Sequence, residues 1–136
     1  MSRQKVQNQE NGHMLTGKVV RIRWVKSYHE AHNHVAIGDV LGETPYYLTL
    51  LCKTYHFGGN IGGRNARLVP HKYVGGIVEG EKAVRSVPWS RIEVINELPE
   101  DTDWDVHAQV DEDGSCILSN KYKTVITRAQ DTQHGR

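Results

Sequence analysis

Val35-Ala36-Ile37-Gly38-Asp39-Val40-Leu41-Gly42-Glu43-Thr44-Pro45-Tyr46-Tyr47-Leu48-Thr49-Leu50-Leu51-Cys52 sets two apolar runs on either side of a Gly/Pro breaker. Neither run can continue through Gly42-Glu43-Thr44-Pro45, so the stretch predicts a β-hairpin. A turn centred on Glu43/Thr44 pairs Val35 with Cys52. In that register Leu48, Leu50 and Cys52 share a face with Val35 and Ile37, and the hairpin buries one apolar side.

The flanking sequence has the same period. Upstream, Val20, Ile22 and Trp24 alternate with Arg21, Arg23 and Val25, an apolar face backed by a basic one. Downstream, seven of the 13 glycines fall between Gly58 and Gly80, a long pliable connection. Val84 to Ile95 then reads as two short strands broken at Pro88. Beyond a turn signal at Leu98-Pro99-Glu100-Asp101, the residues Trp104, Val106, Ala108 and Val110 alternate with Asp105, His107, Gln109 and Asp111. Asp113-Gly114 turns the chain back into Cys116-Ile117-Leu118, a strong hairpin signal, and a further strand is expected around Lys123–Arg128. No capped amphipathic helix longer than a turn or two is present. The expected class is all-β, with a polar arm over 1–13, a small barrel over 14–98 and an acidic β-hairpin extension with a frayed end over 99–136.

At 136 residues and 38% hydrophobic content the chain can build one core, not two large ones. No apolar run approaches the ~18 residues of a membrane helix, and the first thirteen residues hold no signal-peptide core. Two cysteines are too few for a disulfide scaffold or a four-cysteine zinc site. A reducing cytoplasm is the expected compartment, with one long-range Cys52–Cys116 disulfide as the alternative.

The net charge of +1 hides an asymmetry. Residues 1–99 hold 13 Lys/Arg and 8 Asp/Glu, a net +5, whereas residues 100–136 hold 4 Lys/Arg and 8 Asp/Glu, a net −4. A polyanionic partner for the basic body is therefore compatible with the near-neutral total. The opposite signs suggest that the acidic segment covers or competes for the basic surface.

The order of elements resembles the SH3-like small barrels and, more narrowly, the Sm-like family. Gly38-Asp39-Val40-Leu41-Gly42-Glu43-Thr44-Pro45-Tyr46-Tyr47-Leu48-Thr49-Leu50 is similar to the first Sm motif, a glycine in a bent strand followed by a turn and an alternating strand. Val84-Arg85-Ser86-Val87-Pro88-Trp89-Ser90-Arg91-Ile92-Glu93-Val94-Ile95 is similar to the second, where strand four passes through a tight turn into strand five. Thr44 and Tyr47 stand near the places of the family's usual Asp and Asn, Arg85-Ser86 replaces its Arg-Gly pair, and the connection 58–80 is longer than in a minimal Sm barrel. The resemblance covers roughly 14–98. It implies a barrel that joins others into a ring through its edge strands and binds RNA.

The candidate nucleic-acid-binding residues are Arg85, Arg64 and Arg67, placed to contact phosphate, and Tyr47, placed to stack on a base. Arg21, Arg23, Lys26, Lys72 and Arg91, with Tyr46 and Trp89, extend the same set. The Gly-rich loop lacks the G-x-x-x-x-G-K-[ST] pattern of nucleotide hydrolysis.

His29, His32 and His34 are dense in potential metal ligands, and Cys52 and His56 could complete a set. The register above turns His32 and His34 away from Cys52 and His56, so the four ligands do not converge and no metal site is expected. The run Gln109-Val110-Asp111-Glu112-Asp113-Gly114, with Asn120 at the final position, lacks the opening aspartate, closing glutamate and flanking helices of a calcium loop and reads as a turn. Cys52 and His56 lie about 13 Å apart along a strand, too far for a thiol–imidazole pair. No catalytic constellation and no cofactor motif emerges. The expected role is non-catalytic binding of RNA or single-stranded nucleic acid by a homo-oligomer. The alternative is a structural or protein-interaction subunit that pairs through its β edges without nucleic acid.

Overall fold

The computed structural model describes residues 14–24, 34–57, 73–74 and 77–128. They form an all-β structure of two antiparallel sheets. In the larger sheet, β1 (Val19–Trp24), β2 (His34–Glu43) and β3 (Tyr47–Phe57) make a meander. Its other members are β4 (Tyr73–Val74), β5 (Ile77–Glu79), β6 (Ala83–Pro88) and β7 (Ile92–Leu98). The order is β4-β5-β3-β2-β1-β7. β5 pairs with the end of β3 at Tyr55–Phe57, and β6 pairs with its beginning at Tyr47–Cys52.

Pro88 ends β6 as the sequence predicts, and Trp89–Arg91 makes one 3-10 turn before β7 starts. The smaller sheet holds β8 (Ala108–Val110), β9 (Cys116–Leu118) and β10 (Val125–Thr127) in the order β10-β9-β8. Its hairpin turns where Asp-Gly directs: Gly114 adopts φ 88° and its N–H donates to the carbonyl of Asp111.

The expectation of a barrel is met only at the level of strands. No ladder joins β6 to β7 among the described residues, so the larger sheet is open. The two strands nevertheless share a core. Val20, Ile22, Ala36, Leu48, Leu50, Cys52 and Val87 are buried together, with Trp24, Trp89, Ile92 and Ile95 packed on them.

The hairpin register differs from the expected one. Val35 pairs with Tyr55 and Gly38 with Cys52. The turn is centred at Pro45/Tyr46, where Thr44 N–H donates to the Tyr47 carbonyl and Thr44 Oγ1 accepts from the N–H groups of Tyr46 and Tyr47. That is two residues later than Glu43/Thr44 and moves each partner by four. A bulge between Val40 and Gly42 takes one residue back. The net shift of three is odd, so it reverses which residues share a face.

Gly38 is required by this register, because a Cβ there would lie 2.1 Å from the Leu51 carbonyl oxygen and 2.6 Å from Cys52 Cα. Val35 and Ile37 therefore face away from Leu48, Leu50 and Cys52. They enter a second core with Val19, Tyr55 and Ile77, covered by Trp104, Ala108, Cys116, Leu118 and Ile126 of the C-terminal segment. The centre of the larger sheet, β1 to β3, is buried on both faces, and the C-terminal sheet is the lid over one of them.

Candidate nucleic-acid interface

Of the four predicted binding residues, two are described. Arg85 pairs with Leu50 in the β3–β6 ladder, and Tyr47 pairs with Pro88. Strand alternation puts Arg85 on the face of Leu48, Leu50 and Cys52 and Tyr47 on the opposite face. Both side chains are exposed, but the sheet does not bring them together on one side. Arg64 and Arg67 lie outside the described residues, as do Lys26 and Lys72.

The aromatic residues gather at the β2–β3 turn. Tyr46 is 78% exposed and Tyr47 43%. Trp89 locks onto the same turn: its backbone N–H donates to the Tyr46 carbonyl, and its indole Nε1 donates to the Thr44 carbonyl at 2.7 Å. Arg91 closes the 3-10 turn that Trp89 opens. Thr49 and Ser86 join their hydroxyls across the neighbouring ladder at 2.8 Å. The result is a rigid tip with two displayed phenol rings and an arginine on the adjoining turn.

Several cations of the body hold the fold. Arg21 does not front a solvated basic face, because β10 lies over it. Its Nε and Nη2 donate to the Ile126 carbonyl at 3.1 and 2.8 Å, and its Nη1 donates to Asn96 Oδ1 at 3.0 Å. Arg23 lies 3.6 Å from Glu93 on β7. Lys53 is buried and paired with Glu79, and it also donates to the Val106 carbonyl at 3.0 Å. Glu79 further accepts from Ala108 N–H and approaches His107 Nδ1 at 3.5 Å. A small pocket of about 250 Å³ opens beside this group, lined also by Lys82 and Asp105. Lys53 and Glu79 pair with each other within the larger sheet and reach Val106 and Ala108 across the junction, where Lys82 meets Asp105. The arrangement is a clip rather than a nucleophilic site.

The acidic segment is attached to the body by specific contacts. Asp105 pairs with Lys82 at 2.8 Å, and that hydrogen bond holds the Asp105 carboxyl below the usual range. Asp101 is likewise held low, by hydrogen bonds first from Lys121 and then from Tyr122 of its own segment. Trp104 Nε1 donates to Asp39 Oδ1 on β2 at 3.2 Å. The segment binds the body chiefly through buried apolar side chains, with these polar contacts around them.

The shifted register also corrects the histidine reading. His34 pairs directly with His56, on the same face, with ring centroids 3.8 Å apart; Trp24 stacks on His34 at 5.0 Å. His29 and His32 lie outside the described residues, among which no group of three or more His, Cys, Asp or Glu side chains is placed to hold a metal ion. Cys52 and Cys116 are both buried, and no disulfide joins them. Burial pushes each thiol up to about 11; the charge of Arg85 opposes the shift at Cys52.

No helix among the described residues is long and apolar enough to cross a membrane. Comparison with family models, curated proteins and solved structures yields no match for this chain.

Proposed function

We propose that this chain is a non-catalytic binding protein for RNA or another single-stranded nucleic acid, acting as a homo-oligomer in a reducing cytoplasm. The observation that carries the reading is the exposed pair Tyr46 and Tyr47 on a turn clamped by Trp89. Rigid, displayed rings offer stacking surfaces to unpaired bases at little ordering cost. Arg91 beside the tip and Arg85 on β6 supply cations for the phosphates, with Arg64 and Arg67 of the Gly-rich connection as further contacts.

The fold is read as a small barrel of the Sm-like or SH3-like kind. Support comes from the strand order β6-β3-β2-β1-β7, the single 3-10 turn between the last two strands and their common core. β6 and β7 each carry a ladder on one side only among the described residues. Such edges suit pairing with a second copy. The same edges favour the second reading, a protein-interaction subunit that pairs with another chain and needs no nucleic acid.

Titration with a fluorescent single-stranded oligonucleotide at several salt concentrations separates the two. Nucleic-acid binding gives an affinity that falls log-linearly with salt and weakens in Tyr46→Ala. An oligomer by light scattering that has no affinity for the strand leaves only edge pairing. A monomer without affinity removes the nucleic-acid reading and the homo-oligomer, and leaves only edge pairing with a different chain.

A further inference from the structure

A groove of about 460 Å³ runs between the β1–β7 side of the larger sheet and the turn that leads into β10. Its walls carry Arg21, Lys123, Arg128, Asn96, Tyr122 and Pro99. Three of these are cations, and none of the described residues lining it is acidic. That is unexpected from composition, since segment 100–136 has 8 acidic residues and only 4 basic ones. Two of those four, Lys123 and Arg128, face the same groove as Arg21 of the body. The fold has concentrated positive charge at one concave place on its acidic half.

The site is held from several directions. Arg21 is fixed by the Ile126 carbonyl and by Asn96. Lys123 adopts a left-handed φ of 49°, at the end of a turn organised by Asn120. The Asn120 side chain binds Thr124 N–H and the Asp103 carbonyl. The Tyr122 ring is oriented by a hydrogen bond from its hydroxyl to Asp101, and Lys121 sits 4.9 Å from its centroid. A concave site with an anchored guanidinium and two further cations on one side and an aromatic wall beside apolar Pro99 suits a ligand that is anionic at one end and flat at the other.

We propose that this groove binds a nucleotide, its phosphate held by Lys123 and Arg128 beside Arg21 and its base lying toward Tyr122. The nucleotide is either free or one unit of a strand; both present the same chemistry. The site is separate from the Tyr46/Tyr47 tip and does not depend on that reading.

The test uses amide NMR of the full chain, titrated with adenosine and uridine monophosphates and, separately, with a short single-stranded oligonucleotide. Two variants are compared with the wild type: Lys123→Gly with Arg128→Gln, and Tyr46→Ala. Glycine suits the left-handed position, so the first variant keeps its turn, which an unchanged melting temperature verifies. The expected result is saturable shifts at residues 122–125, weakened about ten-fold or more in the double variant and unchanged in Tyr46→Ala. Saturation by a monophosphate identifies a free nucleotide as sufficient, whereas shifts there with the oligonucleotide alone assign the ligand to a strand. Absence of shifts at 122–125 with every probe overturns the proposal, as do shifts that survive the double variant undiminished. Neither result bears on the tip, whose own test is the Tyr46→Ala oligonucleotide affinity.

Discussion

Arg21 on β1 donates two hydrogen bonds to the backbone carbonyl of Ile126 on β10, joining residues 105 positions apart. The guanidinium thereby satisfies a strand carbonyl at the sheet–sheet junction. Arg21→Met keeps the apolar stem and removes the donors. The expected loss is about 2 kcal/mol of unfolding free energy, the usual cost of removing a charged hydrogen-bond donor. Urea denaturation measures it, and an unchanged midpoint would show that the contact contributes nothing.

Truncation after Pro99 removes Trp104, Ala108, Cys116, Leu118 and Ile126 from above Val19, Val35, Ile37, Tyr55 and Ile77. An apolar face of that extent is not stable in water. The truncated chain is expected to aggregate or unfold, seen by light scattering and circular dichroism. A soluble, folded fragment with tighter affinity for anions would instead support the acidic segment as a removable cover.

Gly38→Ala tests the register directly. The new methyl would collide with the Leu51 carbonyl and the Cys52 backbone, neither of which can rotate aside. Overpacking of this kind costs about 1–3 kcal/mol or more. The register expected from a Glu43/Thr44 turn sets Gly38 against a different residue, so a neutral substitution would argue for that register.

Lys53 and Glu79 form a buried pair whose side chains are 9% and 7% exposed. Losing one partner strands the other charge. Lys53→Met alone is expected to cost about 3–5 kcal/mol. The double change Lys53→Met with Glu79→Gln is expected to cost less than the sum of its parts. A double-mutant cycle by chemical denaturation gives the coupling, and simple additivity would contradict the clip.

Both thiols are raised from 9.0 to about 11 by burial. The folded state keeps these protons after the unfolded chain has released them. Their contribution to stability is therefore complete below pH 9 and is lost as the pH rises toward 11. Burial and the charge of Glu79 also raise the phenol of Tyr55, whose contribution falls away above pH 10. Denaturation midpoints should drop over pH 9–11, less steeply in Cys52→Ala with Cys116→Ala. At pH 8 neither native thiol should react with an aromatic disulfide reagent, and prompt reaction of either would place it at the surface.

The sequence by itself determined what depends on neighbours along the chain. Alternation at Val20-Ile22-Trp24 marked β1, Pro88 marked the break between β6 and β7, and Asp113-Gly114 marked the hairpin of the smaller sheet. Each signal is local, since side-chain period, proline geometry and a left-handed glycine act within a few residues. The exposed tyrosines were legible as a pair, but not the clamp of Trp89 on Thr44 that displays them.

Only the tertiary structure decided the register of β2 on β3, and with it the position of every side chain on that hairpin. The expected pairing assumed a single apolar face. Both faces of β2 are apolar because the C-terminal sheet covers the second one, and alternation cannot show which face of a doubly buried strand belongs to which core. The late turn at Pro45/Tyr46 and the bulge at Leu41 then settled the parity. The same cover drew Arg21 out of the basic face and set it beside Lys123 and Arg128, a juxtaposition across more than a hundred residues that chain order does not encode.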